Sequence, residues 1–115
     1  MGQQFDLEER TEKFAKGVIR LLKKLPKDTV NIELVRQAVR AAGSVGANYI
    51  EANEAVSKKD FYYRIKICRK ESKESRYWLD LILSANSNKL EKEINLLVQE
   101  SIELMKIFGA ILKKQ

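Results

Sequence analysis

The 115-residue chain has no histidine, a single cysteine and a single proline. Without histidine it lacks the commonest general base, the Ser-His and Cys-His nucleophile pairs and the imidazole ligand of metal ions. Cys68 has no partner for a disulfide within the chain, and its position on the apolar side of a predicted helix indicates a small core residue. We therefore expect no catalytic activity, no metal site and no cofactor.

Long apolar runs and turn-forming residues are also scarce. No stretch approaches the length needed to span a bilayer, and the first residues lack the features of a secretion signal, which predicts a cytoplasmic protein. Five glycines provide few turns for a β-sandwich or barrel, while 44% apolar and 33% charged residues are typical of a globular chain. The length suits one domain, residues 1–115, and the predicted class is all-α.

Four segments repeat apolar residues at helical spacing. The predicted helices cover roughly residues 7–24, 29–56, 57–83 and 88–113. Asp6, Thr29 and Ser57 stand at the start of the first three as expected caps, and Pro26 ends the first. Because short connections place consecutive helices side by side, we expect an up-down-up-down antiparallel four-helix bundle.

The second helix has an apolar arc about 200° wide, which predicts burial on two sides. Small residues keep its profile thin, so neighbouring helices can approach closely. These residues are Ala38, Ala41, Ala42, Gly43, Gly46 and Ala47.

The third helix carries a second apolar stripe beside its core stripe. This stripe consists of Tyr63, Ile67, Trp78 and Leu81. An exposed stripe with a tryptophan is typical of a subunit contact, and it predicts a homo-oligomer. The alternative is a helix with one wide face that is buried within its own bundle.

The same helix holds most of the positive charge. Net charge is +6, and residues 58–86 alone contribute +4. At 100° per residue, seven bases fall within about one third of the helix surface, together with Tyr62 and Tyr77, whereas Arg64 falls outside. The seven are Lys58, Lys59, Lys66, Arg69, Lys70, Lys73 and Arg76.

Cations interleaved with aromatic rings suit phosphates and unpaired bases, so this arc predicts binding to the backbone of RNA or DNA. A membrane surface is a poorer match, because a membrane-bound helix would not have three further helices to cover its apolar side. The alternative is a solvated face that serves only solubility.

Paired carboxylates occur at Glu51 and Glu54 and at Glu71 and Glu74. Di-metal sites in helical bundles also require Glu-x-x-His and inward-facing positions, and neither condition is met. We expect these residues to form surface ion pairs instead, for example Glu74 with Lys70.

Several motifs resemble those of the bacterial four helix bundle protein family. They are Arg10-Thr11 with Phe14-Ala15, the run Ala41-Ala42-Gly43-Ser44-Val45-Gly46-Ala47-Asn48-Tyr49-Ile50-Glu51-Ala52, Asp60-Phe61, Lys66-Ile67, and the run Lys70-Glu71-Ser72-Lys73-Glu74-Ser75-Arg76-Tyr77-Trp78-Leu79. Together the motifs span nearly the whole chain.

This resemblance implies a basic homopentamer without an active site, of the kind encoded in intervening sequences of bacterial 23S rRNA genes. A related branch, the accessory variability protein of diversity-generating retroelements, binds a reverse transcriptase and nucleic acid. For this chain the family implies that Tyr63, Ile67, Trp78 and Leu81 contribute to subunit contacts and that the basic arc lines an outward or axial surface. The neighbouring genes would distinguish the two branches, and a scaffold without a nucleic-acid role is the third possibility.

Overall fold

The computed structural model describes the backbone of residues 2–86 and 88–115 and the side chains of residues 7–86 and 89–115. Its four α-helices are α1 (Gly2–Leu22), α2 (Thr29–Asn53), α3 (Lys58–Ala85) and α4 (Glu91–Leu112), and a 3-10 turn (Asn88–Leu90) precedes α4. Each helix packs on the next, and α1 also packs on α4. This arrangement confirms the predicted up-down-up-down antiparallel four-helix bundle.

The cap predicted at Ser57 is confirmed, because its hydroxyl accepts a hydrogen bond from the Asp60 N–H at 3.0 Å. The cap predicted at Thr29 is wrong. Asp28 is the N-cap of α2, since its backbone is extended and its carboxylate accepts from the Asn31 N–H at 2.8 Å. A carboxylate one residue earlier therefore satisfies the free N–H groups of the first turn.

The helix ends also differ from the sequence prediction. α1 begins at Gly2, so Asp6 lies inside the helix and does not cap it, and the Asp6 side chain lies outside the described residues. α2 ends at Asn53, three residues before the predicted end, and α3 continues two residues further, to Ala85. Cap hydrogen bonds and tertiary contacts determine where a helix ends, and the spacing of apolar residues carries no information about either.

The apolar stripes of all four helices meet in one core. The stripe predicted for α1 is buried throughout, and α4 contributes Ile94, Leu104 and Phe108, which are fully enclosed. Cys68 is buried as predicted, and its thiol contacts the carbonyl oxygen of Val45 at 3.4 Å. In the described part of the chain, no helix has an apolar stretch long enough to cross a membrane.

α2 and α3 are narrow where their middle turns face the core. Ala38, Ala41 and Ala42 are buried on α2. On α3, Ser72 and Ser75 are buried and donate hydrogen bonds to carbonyl oxygens one turn earlier, at 2.9 and 2.8 Å. The predicted close packing of α2 is therefore confirmed on the side of the helix that faces the core.

The opposite side of α2 differs from the prediction. Gly43 and Ala47 are exposed, and a Cβ atom placed on Gly43 would have no neighbour within 4 Å. Gly46 behaves as expected, since a Cβ there would lie 3.0 Å from the Thr11 hydroxyl oxygen on α1. Within one chain, α2 is covered by its neighbours on one side only.

Two asparagines join the ends of helices at one end of the bundle. Asn31 and Asn86 exchange amide hydrogen bonds at 2.9 and 3.0 Å. Asn31 also donates to the carbonyl of Pro26 at 2.9 Å, and Asn86 donates to the carbonyl of Ile82 at 2.8 Å. The pair thereby fastens the α1–α2 connection to the end of α3.

Candidate nucleic-acid interface

All seven bases of the predicted arc are exposed along α3. The helix places them there because its core-facing side is occupied by Ile65, Cys68, Leu79 and Ile82, and the bases fall on the surface next to α4. Four of the seven line a single groove, and the other three lie beyond it along α3.

The groove runs between α3 and α4 and has a volume of about 710 Å³. Its α3 wall consists of Lys66, Arg69, Lys70 and Lys73. Its α4 wall consists of Met105, Lys106 and Gly109. Five cations from two helices therefore face one groove, and no carboxylate is among the side chains that line it.

Two acidic residues of α3, Glu71 and Glu74, point toward α2 instead. Glu71 is 8% exposed and accepts hydrogen bonds from Arg40 of α2 at 3.3 and 3.4 Å. Glu74 forms an ion pair with the same guanidinium. The expectation that Glu74 pairs with Lys70 is therefore wrong: the antiparallel packing of α2 on α3 brings Arg40 closer, and Lys70 stays in the groove.

The acidic residues of α4 near its beginning and middle point toward α1. Glu100 accepts two hydrogen bonds from Arg10, at 2.6 and 3.0 Å, and Glu93 accepts one from Lys24 at 2.8 Å. The bundle thus directs carboxylates from both helices to their outer flanks. Among the described residues, none of the five groove cations forms an ion pair.

The remaining three bases of the arc extend this charge along α3. Lys58 and Lys59 are exposed in the first turn of the helix, about 10 Å before Lys66 at 1.5 Å per residue. Arg76 follows the groove and lies 3.6 Å from Asp80, with about half of each side chain exposed. At that exposure, the ion pair leaves much of the guanidinium open to solvent.

The two tyrosines of the arc have different surroundings. Tyr77 is 56% exposed and packs edge to face on Trp78, with ring centroids 5.1 Å apart. Tyr62 is half-buried against Phe61 in a similar geometry. Only the Tyr77 ring therefore stands largely free beside the cations.

The predicted oligomer stripe on α3 is not continuous at the surface. Tyr63 is 58% exposed and Ile67 is half-buried. Trp78 and Leu81 are half-buried and pack against the core, and the role of the four residues in a subunit contact stays a prediction. The Nε1 atom of Trp78 is buried and has no hydrogen-bond acceptor among the described residues.

A more exposed apolar stripe lies on α2. Ile32 is 60% exposed, Val39 is 39% exposed and Ile50 is 49% exposed. With Gly43, these residues fall within about 40° of one another around the helix. They belong to the wide apolar arc predicted for this helix, but periodicity alone does not show which part of the arc the neighbouring helices leave uncovered.

The paired carboxylates Glu51 and Glu54 are both exposed. Among the side chains that the structure describes, no three of the His, Cys, Asp or Glu type converge in a way that could hold a metal ion.

Lys106 is a groove residue that was not predicted from the sequence. Counting charge by segment hid it, because its own segment, residues 87–115, has a net charge of only +1. The antiparallel order of the helices could have indicated Lys106. In an antiparallel pair, the second half of α4 lies beside the first half of α3, where the bases are concentrated.

Comparison with known proteins identifies the family of the chain and supports its fold. Residues 3–110 match the family model of the 23S rRNA-intervening sequence protein. A solved structure of a protein with unknown function, from the S23 ribosomal protein family of Bacteroides thetaiotaomicron VPI-5482, is similar with a TM-score of 0.85 and 28% identity, covering 96% of this chain and 97% of that one. No curated protein matches the chain. The chain therefore belongs to the 23S rRNA-intervening sequence protein family.

Proposed function

We propose that this protein is a non-enzymatic, cytoplasmic module that binds the backbone of RNA or DNA through the basic surface of α3. The observation that carries this proposal is the groove in which five cations have no carboxylate partner. A cationic surface that served only solubility would not require Glu71 and Glu74 of α3 to pair with α2, nor Glu93 and Glu100 of α4 to pair with α1, away from the groove. Unpaired cations in a concave surface raise the local concentration of polyanions.

Phosphate contacts dominate the proposed complex. Neither α3 nor α4 projects from the bundle as a recognition helix, since both pack along their length on neighbouring helices. The protein would therefore recognise charge and shape and would read few bases. Its affinity should fall steeply as salt concentration rises, because each neutralised phosphate releases counterions.

Reversal of the four α3 bases in the groove tests the proposal. The variant carries Lys66→Glu, Arg69→Glu, Lys70→Glu and Lys73→Glu. Binding of a labelled oligonucleotide, followed by fluorescence anisotropy between about 50 and 200 mM salt, should be lost at every salt concentration in that range. Circular dichroism and light scattering must show that helicity and mass are unchanged.

A matched control reverses three lysines and one arginine elsewhere. Lys13, Arg20, Lys23 and Lys27 are exposed on α1 and the connection that follows it. Both quadruple variants have the same net charge, so a purely global effect of charge would weaken both equally. Equal affinities of the two variants would refute the proposed site.

We also propose that copies of the chain associate through the exposed stripe of α2, and the family resemblance suggests five copies. Ile32 and Ile50 are separated by about 27 Å along the helix, and Gly43 lets another backbone approach closely between them. Exposed apolar residues that share one side of a helix in this way are typical of a protein contact. Repeating the basic groove around an assembly would strengthen binding through avidity.

Light scattering on two variants tests this association. Val39→Glu puts a charge in the middle of the stripe and should reduce the mass to that of one chain. Ile19→Glu changes a residue of similar exposure on α1 and should leave the mass unchanged. A single-chain mass for the unmodified protein would refute the association.

A further inference from the structure

We infer that the groove between α3 and α4 takes one single strand of nucleic acid, held by cations on both of its walls, and that Lys106 contributes a phosphate contact from the α4 wall. This inference rests on the proposed function and specifies the form of nucleic acid that the site accepts. It also adds a residue that the basic arc of α3 does not contain.

The width of the groove favours a single strand. Axes of packed helices lie about 8–10 Å apart and their side chains touch, so the groove between them is a furrow on the surface that one polynucleotide strand can follow but that a duplex cannot enter. The reverse arrangement, with α3 inserted into a major groove, needs a helix that projects from its domain. α3 instead packs on α2 along one side and on α4 along another.

The cations are spaced to follow a strand along the groove. Lys66, Arg69 with Lys70, and Lys73 lie on successive turns of α3, each about 5 Å further along the helix. Lys106 faces them from the other helix, so a strand lying between the walls would be contacted from two sides. A duplex resting on the rim of the groove would contact only the ends of the long side chains. Those contacts would lie on the one face of the duplex that meets the protein.

The apolar part of the groove suits unstacked bases. Met105 lines the α4 wall, and its thioether is a flexible apolar surface against which bases can pack. The side chain of Arg69 extends toward Gly109, where a Cβ atom would lie 3.8 Å from Arg69 Cδ. The stem of Arg69 thus crosses the groove close to the α4 backbone, and its exposed guanidinium is the kind of group that stacks on bases in single-strand complexes.

The number of contacts sets the expected dependence on salt. If the five cations neutralise about four phosphates, the logarithm of the affinity should fall with the logarithm of salt concentration with a slope of about −3 for a single strand. Removing one of these contacts should reduce the magnitude of the slope by about 0.7.

The test compares Lys106→Glu with Lys92→Glu. Both lysines are exposed on α4, separated by about 21 Å along the helix, and the charge change is the same. The probes are a labelled 20-nucleotide thymidine strand and a 20-base-pair duplex of mixed sequence, measured by anisotropy with the full chain. We expect the single strand to bind more tightly than the duplex, Lys106→Glu to weaken single-strand binding on the order of tenfold, and Lys92→Glu to change it less than about twofold.

Two results would overturn the inference while leaving the proposed function intact. One is a duplex that binds as tightly as the single strand, and the other is a Lys106→Glu variant that behaves like Lys92→Glu. In both cases the quadruple α3 variant would still abolish binding. If that variant bound both probes normally, the proposed function itself would fail.

Discussion

Gly46 of α2 lies against Thr11 of α1, and replacing it with alanine tests the packing of the two helices directly. A Cβ atom at this position would lie 3.0 Å from the Thr11 hydroxyl oxygen and 3.3 Å from the Thr11 Cβ. Thr11 is 1% exposed, and its hydroxyl hydrogen-bonds to the carbonyls of Leu7 at 2.8 Å and Glu8 at 3.1 Å. The threonine is thus held in place, so the helices would have to move apart.

Gly43 provides the reference, because it lies in the same helix and its Cβ would meet nothing within 4 Å. Alanine gains about 0.5–1 kcal/mol over glycine at either position through helix propensity. That gain cancels in the comparison and leaves the cost of overpacking, about 1–3 kcal/mol. Measured in the Val39→Glu background, in which the α2 stripe should not associate, Gly43→Ala should therefore stabilise the protein, and Gly46→Ala should be less stable than Gly43→Ala by about 1–3 kcal/mol.

The measurement is urea unfolding followed by circular dichroism at one protein concentration, with mass checked by light scattering because association shifts apparent stability. Combining Gly46→Ala with Thr11→Ala removes the nearer contact and should recover part of the loss, a coupling that a double-mutant cycle reports. Equal free energies of unfolding for the two alanine variants would show that α1 and α2 are not in tight contact at Thr11.

Two further predictions concern stability. Arg40→Ala should lower the free energy of unfolding by about 2 kcal/mol, because it leaves the carboxylate of Glu71 buried without its partner. Arg36→Ala is the control, because it breaks only an exposed ion pair and should lower the free energy of unfolding by less than about 0.5 kcal/mol. Both variants are measured by thermal or urea unfolding. Similar losses of stability in the two variants would contradict the role assigned to Arg40. Burial raises the pKa of the Cys68 thiol to about 12, so the folded protein should resist thiol labelling at pH 8, and rapid labelling would refute the burial. The folded state keeps this proton above pH 9, where the unfolded chain releases it, so the wild type should lose stability relative to Cys68→Ala as pH rises from about 9 toward 12.

Apolar spacing was sufficient to predict the four helices and their antiparallel order. The periodic residues of α1 and α4 are the ones that form the core, and the short connections leave little choice of topology. The cap of α2 was misplaced by one residue because Asp28 and Thr29 are both capable caps, and only the backbone conformation distinguishes them.

The basic arc was predictable because it depends on one helix alone. Features that depend on two helices could not be predicted in this way, because a helical wheel does not show which neighbouring helix covers which side of a given helix. Lys106 joins the groove from α4, Arg40 reaches Glu71 and Glu74 from α2, and Trp78 turns out to pack against the core. Each of these depends on the relative position of two helices, which is set by packing across the whole bundle.

The asparagine pair at the end of the bundle restricts how the helices can move. If α3 slid along α2 by a single turn, Asn31 and Asn86 would lose the two hydrogen bonds that they exchange, and each would keep only its bond to a nearby carbonyl. The cost falls mainly on Asn31, whose side chain is buried and cannot turn to water instead. Axial sliding between these helices is therefore costly, whereas small changes in tilt keep the amides together. Any response of this protein to a bound partner should consequently involve side chains and the association of whole subunits, with the alignment of α2 and α3 unchanged.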